Sequence, residues 1–359
     1  MTFEPLDPTR FRTSIDGANT DLFTLSNQAG MQVRFTNQGA KILQLIVPDR
    51  NGNLDDVVLG YDSIEDVLTG QPSMGAFVGR YAGRIAHGRF ALDGRDYALG
   101  TNNNGHTLHG GVKGSRHRVF DVVSIDASRA EMELVYADGE EGFPGRLASR
   151  VVYEVTEDNA LDITWSATSD APTVVNFTSH AFFNLAGHAA ADETTSHDHL
   201  LTIFAGRYAA NDAQLIPNGL LRQVAGTPLD FRVPRRIGDA ADAPDPLVAG
   251  SGGYDHTAAL NKPYGAYGIA ARLAYPPNGR VMEVWSDEPA LVFYGGGGLT
   301  GEIPRDRGKG GKVYGRRAGL CLEPEHFGNS PNLPSFPSTV LRPGQVRRGR
   351  ITYRFSTAS

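Results

Sequence analysis

The 359-residue chain has a single cysteine, Cys321, so no intrachain disulfide can form and any fold must rest on packing and hydrogen bonds. A lone cysteine fits a reducing compartment. Positive charge is not in excess either. The chain has 34 Lys and Arg against 40 Asp and Glu, a formal net charge of -6. That balance argues against nucleic acid or an anionic membrane as a partner held by overall charge. No apolar run reaches membrane-spanning length. The stretch Met1–Asp7 lacks the basic and apolar regions of a secretion signal, so a soluble, cytoplasmic protein is expected. No Pro/Ser-rich linker, charge block or short repeat divides the chain, which reads as one domain over residues 1–359.

What is present in quantity is turn-forming residues and period-two alternation. The 43 Gly and 21 Pro punctuate the chain, and 40% hydrophobic residues supply a large core. Met31, Val33 and Phe35 alternate with polar residues, as do Leu161, Ile163 and Trp165, and Ile351, Tyr353 and Phe355. This is the spacing of half-buried strands. Asp93-Gly94 between two such runs predicts a hairpin turn. Helices are scarce: Ser63–Leu68, with Ser63 as N-cap, predicts a short one. The small, polar segment Ala189–Leu200 reads as a surface loop. The expected fold is all-β, two large packed antiparallel sheets with few short helices.

Polar clusters set among glycines and prolines are candidates for chemistry. They are Gly79–Ile85, Leu108-His109-Gly110-Gly111, Thr178–Leu185, Gly252-Gly253-Tyr254-Asp255-His256, and Cys321–Phe327. Taken singly each is weak, because a lone histidine is more often a hydrogen-bonded structural residue than a catalyst. Other signals point away from other chemistries. Gly295–Gly298 lacks the Gly-Lys-Ser/Thr of a phosphate loop. The basic stretch Arg305–Arg317 has the charge to attract an anion or phosphosugar but reads rather as a solvated loop, its glycines preventing a fixed helical face. His197-Asp198-His199 and His106…His109 have no third or fourth ligand at recognisable spacing, so no metal is expected.

Taken together and in order, the clusters resemble the aldose 1-epimerase (galactose mutarotase) family along nearly the whole chain. Val47-Pro48-Asp49-Arg50-Asn51-Gly52, Asp138–Gly145, Asn184-Leu185-Ala186-Gly187, Gly226–Arg232, Pro331-Asn332 and Leu341-Arg342-Pro343-Gly344 carry the likeness beside the clusters already named. The resemblance implies a β-supersandwich of the galactose mutarotase type and an isomerase that needs no cofactor. By position, the family's catalytic acid falls on His180 and its base on Glu323. Its sugar-binding residues fall on Arg84, His109 and Asp255. It further implies a monosaccharide as the partner of a monomer or homodimer.

The chemistry suits those residue types. Opening a hemiacetal ring requires a base on the anomeric hydroxyl and an acid on the ring oxygen. An imidazole and a carboxylate supply both near neutral pH. Proline restrains the residue before it to extended geometry, so Pro324 favours Glu323 over Glu325 as the fixed base. The chain departs from the family pattern at four places. Gly83 stands where many relatives have Asn, Pro324-Glu325 where they have Thr-Gln, Val292 where a Gln is common, and Gly295–Gly298 replaces a less glycine-rich turn. These changes bear on the identity of the sugar more than on the reaction. The competing readings are a phosphosugar 1-epimerase of the same superfamily and a non-catalytic sugar-binding protein. Retention of both His180 and Glu323 weighs against the second.

Overall fold

The computed structural model describes residues 3–250 and 252–358. Met1, Thr2, Ser251 and Ser359, which fall within the one-domain span read from the sequence, lie outside the described residues. The alternating runs form strands as expected. In Leu147–Val155, side chains at positions 147, 149, 151, 153 and 155 are buried while those between face outward. Successive side chains of a strand point to opposite faces, so this strand lays one face on a core. It pairs antiparallel with Arg129–Tyr136 and Ala160–Ser169, and Ala160–Ser169 pairs in turn with the last strand, Arg347–Thr357. Adding Asp121–Ile125 at one edge, and Arg280–Ser286, Gly268–Tyr275, Leu200–Ile203 and Arg235–Arg236 beyond the last strand, gives a nine-stranded sheet.

A second sheet has five strands in the order Pro217–Gln223, Ala205–Asn211, Asp255–Leu260, Ala290–Tyr294 and Cys321–Glu325. From residue 200 onward the chain passes back and forth between the two sheets. Ile203, Leu273, Val284 and Tyr353 of the first share one buried cluster with Tyr208, Leu291, Phe293 and Leu322 of the second. Burying each such side chain contributes about 1.5–3 kcal/mol relative to leaving it exposed. A four-stranded sheet, Leu22–Ser26, Gln32–Thr36, Lys41–Pro48 and Leu54–Asp56, adds Val33, Phe35 and Leu45 to the same cluster.

The local expectations at Asp93-Gly94 and Ser63 are met. Asp93 and Gly94 have φ of 51° and 77°, a turn that follows the twist of the strands it joins, and Arg89–Leu92 pairs with Arg95–Ala98. Helix Ile64–Thr69 begins at Ser63, whose side chain accepts from the Asp66 N–H. Two expectations fail. Ala189–Leu200 is not simply a loop: it holds the helix Glu193–His197, closed by a reciprocal capping box between Asp192 and Thr195. A five-residue helix is too short to show a period. Nor is Arg305–Arg317 a solvated loop, since Lys309 and Arg317 are both buried and ion-paired, Lys309 to Asp56 and Arg317 to Glu193 and Asp242. Their acceptors come from distant parts of the chain, so nothing local announces them. No helix among the described residues is long and apolar enough to cross a membrane.

Candidate active site

The five-stranded sheet turns one face to the core and the other to a cavity of about 460 Å³. Register decides which side chains enter it. Thr257 lies opposite Val292, and Val292 opposite Glu323; Asp255 lies opposite Tyr294, and Tyr294 opposite Cys321. With a side-chain period of two, Glu325 joins Glu323 on that face while Leu322 points into the core. Both glutamates line the cavity. The extended geometry expected for Glu323 ahead of Pro324 is present, in a strand at the sheet's edge where proline is tolerated. The strand is tied down on two sides, by Thr178 Oγ1 donating to the Pro324 carbonyl (2.9 Å) and Tyr353 Oη donating to the Leu322 carbonyl (3.1 Å).

Loops and short ladders form the opposite wall. Thr178–His180 pairs with Ala76–Val78 and brings His180 into the cavity. Arg84 lies across from Leu108 in a two-residue ladder, and its Nε donates to Asn103 Oδ1 (3.2 Å). His109 follows at φ 53°, its Nδ1 accepting from the Gly83 N–H at 3.3 Å. The tight turn requires Gly110, whose φ is 80° and where a Cβ would lie 2.3 Å from the Gly79 carbonyl oxygen.

All five residues singled out in the sequence therefore border one cavity. His180 Nε2 is 3.7 Å from Glu323 Oε2, and the His109 ring meets the His180 ring edge-on at 5.3 Å. Phe182 and Tyr294 pack around His180 at 5.2 and 6.3 Å. Sequence reasoning missed Glu325, Arg116, Arg305 and Asn103, which also line the cavity. Strand period alone could have found Glu325, and Arg305 opens the basic stretch read as a solvated loop; no local signal marks Arg116 or Asn103. Glu325 also explains Gly83, because its Oε1 lies 3.1 Å from where a Cβ at position 83 would sit. The room left by the missing side chain holds a carboxylate.

Electrostatics here is dominated by burial. Glu323 is pushed well above the usual carboxylate range by burial, then by the charges of Glu325 and Asp255, with Arg84 opposing. Burial likewise raises Glu325 and Asp255. It lowers His180 to about 4, with Arg116 adding, and lowers His109 well below the usual imidazole value. His180, Cys321 and Glu323 place potential metal-ligand atoms within 4.8 Å of one another. The Cys321 sulfur, however, approaches Nδ1 of His180 (3.5 Å) while Glu323 approaches Nε2. No single imidazole nitrogen faces both, so the three suit a chain of contacts better than a chelate.

The family model for aldose 1-epimerase matches residues 21–354. The chain belongs to the aldose 1-epimerase family. A galactose mutarotase from Bos taurus is 37% identical over 91% of this chain and 92% of its own length. An aldose 1-epimerase from Escherichia coli (strain K12) is 35% identical over 95% and 96%. Among solved structures, a GalM/aldose epimerase homologue from C. elegans superposes with a TM-score of 0.86 at 28% identity, covering 95% of this chain and all of that one. A galactose 1-epimerase from Lactobacillus acidophilus NCFM gives 0.84 at 27%, covering 97% of each. These likenesses span both sheets and the strands that carry His180 and Glu323, and they agree with the all-β fold expected from sequence.

Proposed function

We propose that His180 and Glu323 open and reclose the ring of a free aldose as a paired acid and base, so that the chain works as an aldose 1-epimerase in one domain. The observation that carries the reading is the 3.7 Å approach of His180 Nε2 to Glu323 Oε2 at the wall of a sugar-sized cavity. Burial opposes charge on both groups, which leaves the pair holding one proton between them. The form that reacts with the closed ring has the proton on His180, with Glu323 the carboxylate, and is reached from the neutral pair by moving that proton across the 3.7 Å gap. Glu323 takes the proton of the anomeric hydroxyl, the bond between C1 and the ring oxygen breaks, and His180 protonates that oxygen. Glu323 is then the acid and His180 the neutral imidazole, the state that burial favours. Rotation about C1–C2 presents the other face of the aldehyde, and the reverse transfers close the opposite anomer. The pair's proton count never changes, so no cofactor is called for.

Arg84 supplies donors for ring hydroxyls, Asp255 acceptors, and His109 a hydrogen bond beside the ring oxygen. The test is optical rotation of freshly dissolved α-D-galactose, α-D-glucose, D-xylose and L-arabinose. The expected result is acceleration of at least one beyond its spontaneous rate. A protein that accelerates none would overturn the reading.

A further inference from the structure

We propose that the cavity contains an anion subsite built by Arg116 with Arg305, and that the aldose it prefers carries a negative group on the C5 side of the ring. That group is a carboxylate, as in a hexuronic acid, or a phosphate on the C6 oxygen. The inference rests on the epimerase reading and names the substrate class of the same site.

Arg116 sits in the turn Ser115–His117, a few residues after His109, and lines the cavity. Its Nη1 donates to Ser73 Oγ (3.1 Å) and its Nε to His117 Nε2 (2.9 Å). A guanidinium has five N–H donors, so three are left for a ligand. Among the described residues no carboxylate pairs with it, whereas Arg118, two positions on, pairs with Glu140. A half-buried cation without an acid is costly unless an anion arrives with the ligand. Arg305 lines the same cavity, its Nη2 on the Gly298 carbonyl and its Nε 3.5 Å from Asp306 Oδ1, so it lends the subsite its remaining donors while Arg116 supplies the unmatched charge. The two arginines flank one segment: the Gln71 N–H donates to the Arg305 carbonyl (3.3 Å), and Ser73 holds Arg116.

The reaction fixes the direction. Arg116 is held by Ser73 (3.1 Å), two residues before Gly75, whose N–H donates to the His180 carbonyl (3.0 Å), so it stands on the His180 side of the cavity. Arg84 is the cation that acts on Asp255, Glu323 and Glu325. The ring oxygen that His180 protonates is bonded to C5. A substituent on C5 therefore lies on the His180 side, away from Glu323 and toward Arg116. A carboxylate or phosphate there forms charge-assisted, two-pronged bonds with a guanidinium, which an uncharged hydroxymethyl group cannot match.

The experiment compares kcat/KM for D-galacturonate and D-glucose 6-phosphate with that for D-galactose and D-glucose, each corrected for spontaneous mutarotation. In the unaltered protein at low ionic strength an anionic sugar should lead its neutral counterpart by about 10- to 100-fold. The ratio should fall toward one in Arg116→Gln, be partly kept in Arg116→Lys, and shrink with added salt. Which anionic sugar leads separates the carboxylate from the phosphate. Acceleration of neutral sugars with no anionic preference would overturn the subsite and leave the epimerase standing. A preference indifferent to Arg116→Gln and to salt would overturn it too. Failure to accelerate any sugar would overturn the epimerase reading itself. Should Arg116→Gln not fold, the lysine variant and the salt series on the unaltered protein separate the same outcomes.

Discussion

Two of the places where this molecule buries charged side chains treat them in opposite ways. At Lys309 every need is met: its ammonium donates to the carbonyls of Leu43 (2.6 Å) and Val58 (2.8 Å) and to Asp56 (2.5 Å). Asp56 in turn accepts from the backbone of Leu45 and Val58. The cluster clamps the Lys41–Pro48 and Leu54–Asp56 strands to the loop that carries Lys309. Around the cavity, by contrast, Asp255, Glu323 and Glu325 crowd together with Arg84 as the cation acting on all three. The first arrangement spends its hydrogen bonds on the fold. The second holds them back for a ligand, at a cost in stability.

Removing the proposed base should have the largest effect on function. Glu323→Gln keeps the shape and one hydrogen-bonding end but loses the proton acceptor, so kcat should drop about 10³-fold with much of the sugar affinity kept. His180→Gln should do likewise. Neither should lower the melting temperature, since Glu323→Gln also relieves repulsion among buried acids. Near wild-type turnover in both variants would refute the assigned roles. Lys309→Ala should show the reverse, losing about 3 kcal/mol of stability in denaturant titration because Asp56 is left buried and unpaired. Its folded fraction should keep normal kcat. Asp255→Ala should come next, raising KM about 10-fold or more while kcat changes less, as expected for one lost charged hydrogen bond to a hydroxyl.

The smallest and most discriminating effect is on pH dependence. The proposed acid–base pair holds one proton between its members. On the acid side it gains a second only as His180 titrates at about 4, so initial rates should hold through pH 6.5 and fall near pH 4. On the alkaline side the pair loses its proton only above the raised value of Glu323, beyond the usual carboxylate range. An acid limb at the ordinary imidazole value would show that burial does not govern His180.

Much of this is legible in the chain before it folds. Alternation in Leu161–Trp165 and Ile351–Phe355 marks strands because the pleat is a local property of the backbone. The clusters around Arg84, His109, His180, Asp255 and Glu323 can be set in one site through family resemblance, and the structure brings all five to one cavity. Glu325 is the near miss: Pro324 singles out Glu323, yet residues two apart on a strand share a face. Lys309 and Arg317 look solvated in sequence because the acids that hold them lie far away along the chain. Arg116 carries no local mark at all, for its significance is that no carboxylate among the described residues pairs with it.

The order of residues suffices for the class of fold, the family, and the kinds of side chain available for acid–base chemistry, all of which depend on near neighbours or ordered motifs. Which charges are satisfied is settled only when the chain folds. Folding sets Cys321 against His180 across 141 positions, turns Glu325 into the space left by Gly83, and gives Lys309 an acid while leaving Arg116 without one among the described residues. The reason is physical. Strand period and turn chemistry act over a few residues, whereas the energy of a buried charge is fixed by whichever distant groups the folded sheets bring within a few ångströms.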